Sequence, residues 1–252
     1  MITVEEVSAG LARGEFFLEY LPTVSLADRR CVGAEALTRW RQPSGVVPPD
    51  EFIPLIEGTS TSGLLTYWVM EIVARELGDW LADHKEFHIG INVPPELLGR
   101  GGLEYAATIA GLGKLRRQIV LEVTERGVPD RMGVEALEAA SKTGVRVALD
   151  DVTLSGANLA VLLRSHLEII KLDRSLIAQI GPECPRPAWL AGLSALLQAT
   201  GVQVIGEGVE TEAQAEALRA SGVSMVQGYY FSRPVPSEGL KAYYSQASGQ
   251  PN

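Results

Sequence analysis

Cysteine is nearly missing from this sequence. Cys31 and Cys184 are the only two, too few for a disulfide framework or a four-ligand zinc site. Histidine is scarce as well: His84, His88 and His166 lack HExxH spacing, so packing or surface roles are expected of them. Positive charge is in deficit, with 22 Lys+Arg against 31 Asp+Glu and a formal net charge of −9. That balance excludes a broad surface for DNA, RNA or an anionic membrane, each of which needs excess Lys and Arg. There is no long apolar run. The stretch from Leu64 to Met70 stops at Glu71, far short of the ~20 residues that span a bilayer. The acidic start Met-Ile-Thr-Val-Glu-Glu-Val lacks the basic region and apolar core of a signal peptide. A soluble, cytoplasmic chain with no membrane segment is therefore expected. No GxSxG elbow is present, and Gly206-Glu207-Gly208 is no dinucleotide fingerprint, because Thr211 stands where a third glycine is needed.

What is present is an alternation. The 252 residues are 46% hydrophobic and 21% charged, an ordinary globular composition with room for one large domain or two small ones. Strand-like runs recur at Phe16–Val24, Cys31–Arg39, Phe87–Val93, Gln118–Val123, Val145–Leu149, Glu168–Leu172, Val202–Ile205 and Met225–Phe231. Amphipathic stretches with helical spacing cover Leu64–Leu81, Glu96–Ala110, Arg131–Thr143, Ala157–Ser165, Pro187–Thr200 and Thr211–Ser221. Strand, helix, strand at this spacing means right-handed crossovers and a mostly parallel sheet. Only Ser25 to Arg30 separates the first two strands, too little for a crossover helix, so they should pair as a hairpin. These runs favour an α/β fold, a closed TIM-type (βα)8 barrel modified by an antiparallel first strand. An open doubly wound sheet is the alternative. The expected organisation is a helical lead-in over 1–15, one barrel domain over 16–244 and a disordered tail over 245–252. The Pro-rich stretch 181–187 reads as a rigid surface loop within the alternation.

Polar residues gather where these strands end. Strand two carries Glu35 and then Arg39, strand three Asn92, and strand four Glu122 and Glu125. Strand five ends in Asp150-Asp151, strand six gives Lys171 and Asp173, strand seven Glu207 and Glu210, and strand eight Gln227. In a parallel barrel the C-terminal strand ends share one face, where barrel enzymes place their chemistry. A single carboxylate after a strand is most simply a helix cap or a solvated turn. Glu35 and Lys171 resist that reading, since each interrupts an apolar strand and would be costly to bury unpaired. Carboxylates crowded in one mouth repel one another unless cations compensate them. Oxygen donors of this kind suit hard divalent ions, and two such ions suit in-line displacement at phosphorus.

Several of these residues form motifs that resemble those of EAL domains, the bacterial cyclic di-GMP phosphodiesterases. They are Glu35-Ala36-Leu37 with Thr38-Arg39-Trp40, Glu122-Val123-Thr124-Glu125, Asp150-Asp151, Lys171-Leu172-Asp173, Glu207-Gly208-Val209-Glu210-Thr211 and Gln227-Gly228-Tyr229. The resemblance covers about Phe16 to Pro236. It implies opening of one phosphodiester of cyclic di-GMP to give linear pGpG, with two Mg²⁺ or Mn²⁺ ions as cofactors and Ca²⁺ inhibitory. It implies that Glu35, Asn92, Glu122 and Asp150 hold one ion, and that Asp151, with Asp150 and Asp173, holds the other. Lys171, with Glu207 and Glu35, would act catalytically on the attacking water. Arg39, Leu37, Gln227 and Glu210 would bind substrate or complete its shell, and Glu125 would anchor the loop after the paired aspartates. A homodimer and an upstream sensor domain outside this chain belong to the same expectation.

Three departures from the family pattern stand out. The loop Val152-Thr153-Leu154-Ser155-Gly156-Ala157-Asn158 lacks the usual residues, strand one reads Tyr20-Leu21-Pro22 without its usual amide, and Asn92 is followed by Val93-Pro94. The changed loop motivates a second reading, a non-catalytic module that binds cyclic di-GMP or a protein. Another divalent-metal phosphoesterase on the same fold is a third.

Overall fold

The computed structural model describes residues 2–98, 102–124, 135, 138–139, 141–142, 144–153 and 168–247. The helix expected over 157–165, most of the one over 131–143, Glu125, and positions 154–158 of the altered loop lie outside the described residues.

Helix α1 (Val4–Ala12) opens with a capping box, Thr3 and Glu6 each bonding the other's backbone N–H. Strands β1 (Phe16–Ser25) and β2 (Cys31–Gln42) form the expected antiparallel hairpin, with Leu21 opposite Glu35 and Thr23 opposite Gly33. The register slips by one residue after Thr23, so Val32 is an extra residue on β2 and twists the hairpin locally. A short β3 (Gly45–Val47), unexpected from sequence, folds back on the end of β2. Two helices follow, α2 (Pro49–Ile56) and α3 (Ser60–Asp83); the first was missed because prolines at its start and inside it obscure its periodicity.

Parallel strands then alternate with helices. In chain order they are β4 (His88–Asn92), α4 (Gly102–Ile109), β5 (Ile119–Thr124), β6 (Arg146–Val152), β7 (Ile169–Leu172), α5 (Arg174–Ile177), α6 (Ala188–Thr200), β8 (Gln203–Gly206), α7 (Glu212–Ala220), β9 (Met225–Val226) and α8 (Ser237–Ala247). Sheet order runs β1-β9-β8-β7-β6-β5-β4-β2-β3, and the further β1–β2 pairing closes the ring. The result is a closed barrel in which β1 alone runs antiparallel to both neighbours, β2 and β9. The open doubly wound alternative is excluded by that closure. Among the described residues no helix is long and apolar enough to cross a membrane.

Several boundaries differ from the sequence reading, among them the start of α3 at Ser60 and of α4 at Gly102, and two have a clear physical meaning. The last strand stops at Val226 rather than Phe231, because Gly228 at φ 153° brings its backbone against that of Val209, where any Cβ would overlap main-chain atoms. Helix α8 continues through Ser245 to Ala247, three residues into the stretch expected to be a disordered tail.

The core has an outer shell and a lumen. Outside the barrel, α3, α4 and α8 pack against β1, β2, β4 and β5 through residues such as Leu77, Leu81, Ile89 and Leu240. On the other side α5, α6 and α7 cover β6 to β9. Inside, Val120, Ala148, Ile169, Ile205 and Met225 meet in one cluster. These five come from consecutive strands β5 to β9. Side chains alternate along a strand, so the residue two positions on faces the same lumen: Glu122, Asp150, Lys171, Glu207 and Gln227. An apolar layer thus lies under a polar one.

Candidate active site

Lys171 is the hub of the polar layer. Its side chain is fully buried, and Nζ lies 2.9 Å from Glu35 Oε2, 2.7 Å from Glu122 Oε2, 3.1 Å from Asp150 Oδ2 and 2.8 Å from Glu207 Oε1. An ammonium has three N–H bonds, so it cannot give each of the four carboxylates its own. Charge is also out of balance, with four carboxylates around one cation. Asn92, exposed at the end of β4, donates Nδ2 to Glu35 Oε1 at 2.8 Å and fixes that carboxylate's second oxygen. Beneath Glu122 sits Gly90, where a Cβ would overlap the carboxylate, so any larger residue at that level forces Glu122 to move.

The electrostatics follow from burial and crowding. Desolvation is the main cause that holds Glu122 well above the ordinary carboxylate range, with Lys171 opposing it and Glu35 and Asp150 adding to it. Asp150 is raised for the same reasons, with Asp151 adding to the repulsion. Burial pushes Glu207 up to about 8 against the pull of Lys171, and Asp150 and Glu35 push it further. Burial disfavours the Lys171 ammonium, but Asp150, Glu122, Glu207 and Glu35 together outweigh that and raise its pKa well above the ordinary lysine value. Lys171 is therefore charged, while burial and mutual repulsion favour the protonated forms of Glu122, Asp150 and Glu207.

The paired aspartates reach the site by a backbone irregularity. On a regular strand consecutive residues face opposite sides, which would send Asp151 outward. Pairing of β6 with β7 instead breaks between Leu149 and Val152, and Asp151 takes φ 57°, a left-handed conformation rare outside glycine. The Asp151 N–H donates to Asp150 Oδ1 at 2.8 Å. Bulges of this kind re-aim side chains next to active sites. Two carboxylate groupings result, each with oxygens within 4.8 Å of one another: Glu35, Glu122 and Asp150, and Asp150, Asp151 and Glu207. Asp150 belongs to both. All the donors are hard oxygens, so the set fits divalent ions such as Mg²⁺ or Mn²⁺ and not soft metals.

The remaining expected residues sit around this centre. Leu37 and Arg39 follow Glu35 on the same face of β2, both half-buried. Arg39 Nε donates to Glu19 Oε2 at 2.8 Å, a partner across the hairpin that the sequence reading missed. Gln227 is buried and donates Nε2 to Thr23 Oγ1 at 2.9 Å and to the Leu21 carbonyl at 3.4 Å. Asp173 is outside both groupings: it caps α5, Oδ1 accepting the Ser175 N–H at 3.0 Å as well as the Ser175 hydroxyl. Glu210 is exposed, and its N–H donates to Gln214 Oε1 at 2.8 Å. Glu125 falls outside the described residues. Glu19 and Thr23 share the lumen face of β1 with Leu21, and alternation along β1 was the signal that could have found them.

The model of the EAL domain matches residues 4–234. Among curated proteins the chain is 35% identical to cyclic di-GMP phosphodiesterase NbdA of Pseudomonas aeruginosa, covering 97% of this chain and 32% of that one. It is 34% identical to the probable cyclic di-GMP phosphodiesterase PdeN of Escherichia coli K12, covering 92% and 46%. The chain spans less than half the length of these curated relatives. Among solved structures it superposes on PaMucR phosphodiesterase in complex with c-di-GMP, with TM-score 0.84, 30% identity, and 94% of this chain and 98% of that one covered.

Proposed function

The chain belongs to the EAL domain family, and from that premise we propose that it is a divalent-metal-dependent phosphodiesterase that hydrolyses cyclic di-GMP to linear pGpG. The observation that carries this reading is the carboxylate ring around Lys171 with Asp150 shared between its two groupings. Such a ring is costly to bury with one ammonium and becomes balanced when further positive charge enters.

Glu35, Asn92, Glu122 and Asp150 would hold one ion, and Asp150, Asp151 and Glu207 the second. Asp173, engaged as a helix cap in this structure, would also contribute to holding the second. When bound, two divalent ions polarise the phosphoryl oxygens and lower the pKa of water. The chain's own residues do the rest. Lys171 keeps its proton, so it orients the attacking water and balances charge rather than taking a proton. Glu207, whose Oε1 lies 2.8 Å from Lys171 Nζ, would accept the proton that the water gives up. Arg39 keeps guanidinium N–H groups beyond those bonded to Glu19 and Thr38, enough to meet a phosphate. Leu37 and Glu210 line the approach.

The test is incubation of the purified chain with cyclic di-GMP and Mg²⁺ or Mn²⁺, followed by chromatography. Formation of pGpG that disappears with EDTA and in Glu35→Ala is the expected result, and replacement by Ca²⁺ should suppress it, because calcium's looser coordination misplaces the water. Tight binding of cyclic di-GMP with no turnover in either metal would replace the enzyme with a receptor.

A further inference from the structure

Among the described residues three buried side-chain atoms have no hydrogen-bond partner: His88 Nε2, Trp189 Nε1 and Gln227 Oε1. Only the last belongs to the polar layer. Gln227 follows the final residue of β9, and the β1–β9 pairing of Val24 with Val226 puts Thr23 at the next step across the seam. The Gln227 amide is only 1% exposed, and so is Thr23.

The orientation of this amide is dictated by its neighbours. The Leu21 carbonyl can only accept a hydrogen bond, so the amide nitrogen must face it; the flipped amide would set oxygen against oxygen. The Thr23 hydroxyl supplies the shorter of the two anchors, 2.9 Å against 3.4 Å. With Nε2 spent on β1, Oε1 is left as a buried acceptor, and a buried acceptor without a donor carries an energetic cost. Leu21, whose carbonyl takes part in the anchoring, stands directly opposite Glu35, so the amide is held beside the carboxylate ring.

We propose that Thr23 is a positioning residue that locks the Gln227 carboxamide with its oxygen presented to the site, ready to accept a hydrogen from water or from the nucleotide. The reasoning rests on the phosphodiesterase reading for what Gln227 touches. The anchoring itself is independent of that reading.

The experiment is a double-mutant cycle with a second, functional-state-independent measurement. Thr23→Val removes the hydroxyl at nearly constant shape, and Thr23→Ser keeps it. Turnover of cyclic di-GMP should fall about tenfold in kcat in Thr23→Val with KM nearly unchanged, and return in Thr23→Ser. In a Gln227→Ala background, Thr23→Val should cost less than about twofold more, since the group it positions is gone. In the metal-free protein, the Gln227 side-chain amide resonances should be protected from solvent exchange in wild type and Thr23→Ser and lose protection in Thr23→Val. Equal loss of rate in both backgrounds, or amide protection unaffected by Thr23→Val, would overturn the proposal. A wild type without turnover whose Gln227 amide still depends on Thr23 would sink the enzyme reading and leave the positioning intact.

Discussion

Two layers of the barrel lumen use the same strands and the same face, and differ by one two-residue step. The lower holds Val120, Ala148, Ile169, Ile205 and Met225; the upper holds Glu122, Asp150, Lys171, Glu207 and Gln227. The lower layer is stabilised by burial alone, at roughly 25 cal/mol for each Å² of apolar surface removed from water. It also closes the upper layer off from solvent from below, which is why the carboxylates above it are strongly desolvated. The difference teaches that the stability of one layer sets the chemistry of the other. A wet floor would leave Glu122, Asp150 and Glu207 as ordinary acids with little need for added cations.

The largest effect should come from removing the hub. Lys171→Met leaves four carboxylates, three of them buried, without a cation and should cost the metal-free protein about 3–5 kcal/mol in denaturant unfolding, with turnover falling at least a hundredfold. Added Mn²⁺ should restore a good part of the stability and little of the rate. If the variant were as stable as wild type in EDTA, the charge comparison between the layers would be wrong.

Next comes the cradle under Glu122. Gly90→Ala forces the carboxylate to move, and a displacement of about 1 Å at a reacting centre can lower the rate about a hundredfold. Overpacking of this kind costs about 1–3 kcal/mol. Steady-state kinetics together with thermal unfolding would separate the two, and an unchanged kcat would break the link between Gly90 and the site.

Titration distinguishes the layers by sign. Burial raises Glu207 to about 8 from its ordinary value of 4.5. The metal-free fold therefore gains a proton relative to the unfolded chain between those values, and stability falls as pH rises from about 4.5 to about 8. His88 shares the lumen face of β4 with Gly90 and Asn92 but lies two residues deeper, and burial lowers it to about 3 from 6.5. The unfolded chain there holds the extra proton, so stability falls as pH drops from about 6.5 to about 3. Each slope is at most about 1.4 kcal/mol per pH unit. Glu207→Gln should flatten the first limb and His88→Leu the second, as read by unfolding at stepped pH in EDTA. A Glu207→Gln variant with the wild-type slope above pH 6 would contradict the desolvation argument.

The smallest effect belongs to the lower layer. Ile169→Val should lose about 1 kcal/mol of stability and leave kcat and KM unchanged. A comparable loss of rate would mean that the layers are mechanically coupled rather than separable.

Much of this was legible in the sequence, for a local reason. Glu35 and Lys171 interrupt apolar strands, and position at the ends of parallel strands put Glu122, Asp150 and Glu207 at one mouth. The hairpin of β1 and β2 followed from a connection too short for a helix. What escaped was whatever depended on a backbone irregularity or a partner distant in sequence. Asp151 was placed in the site by the resemblance alone, since regular alternation sends it outward and only its positive φ and the break in β6–β7 pairing bring it in. The end of β9 is set by the Gly228–Val209 approach, which no local propensity encodes. Thr23 and Gln227 are 204 positions apart, and only barrel closure brings them together. Arg39 was expected to bind substrate, and its partner Glu19 across the hairpin became visible only in the fold.

Burial and repulsion raise Glu122, Asp150 and Glu207 toward their protonated forms, and entering divalent cations should displace protons from this layer. Calorimetric titration of the metal-free protein with Mn²⁺ at pH 7, in two buffers of different protonation enthalpy, tests this most directly. Saturable binding with net proton release, smaller in Glu207→Gln, is the expected result. Absence of Mn²⁺ binding by the folded chain, or a binding enthalpy identical in the two buffers, would contradict it.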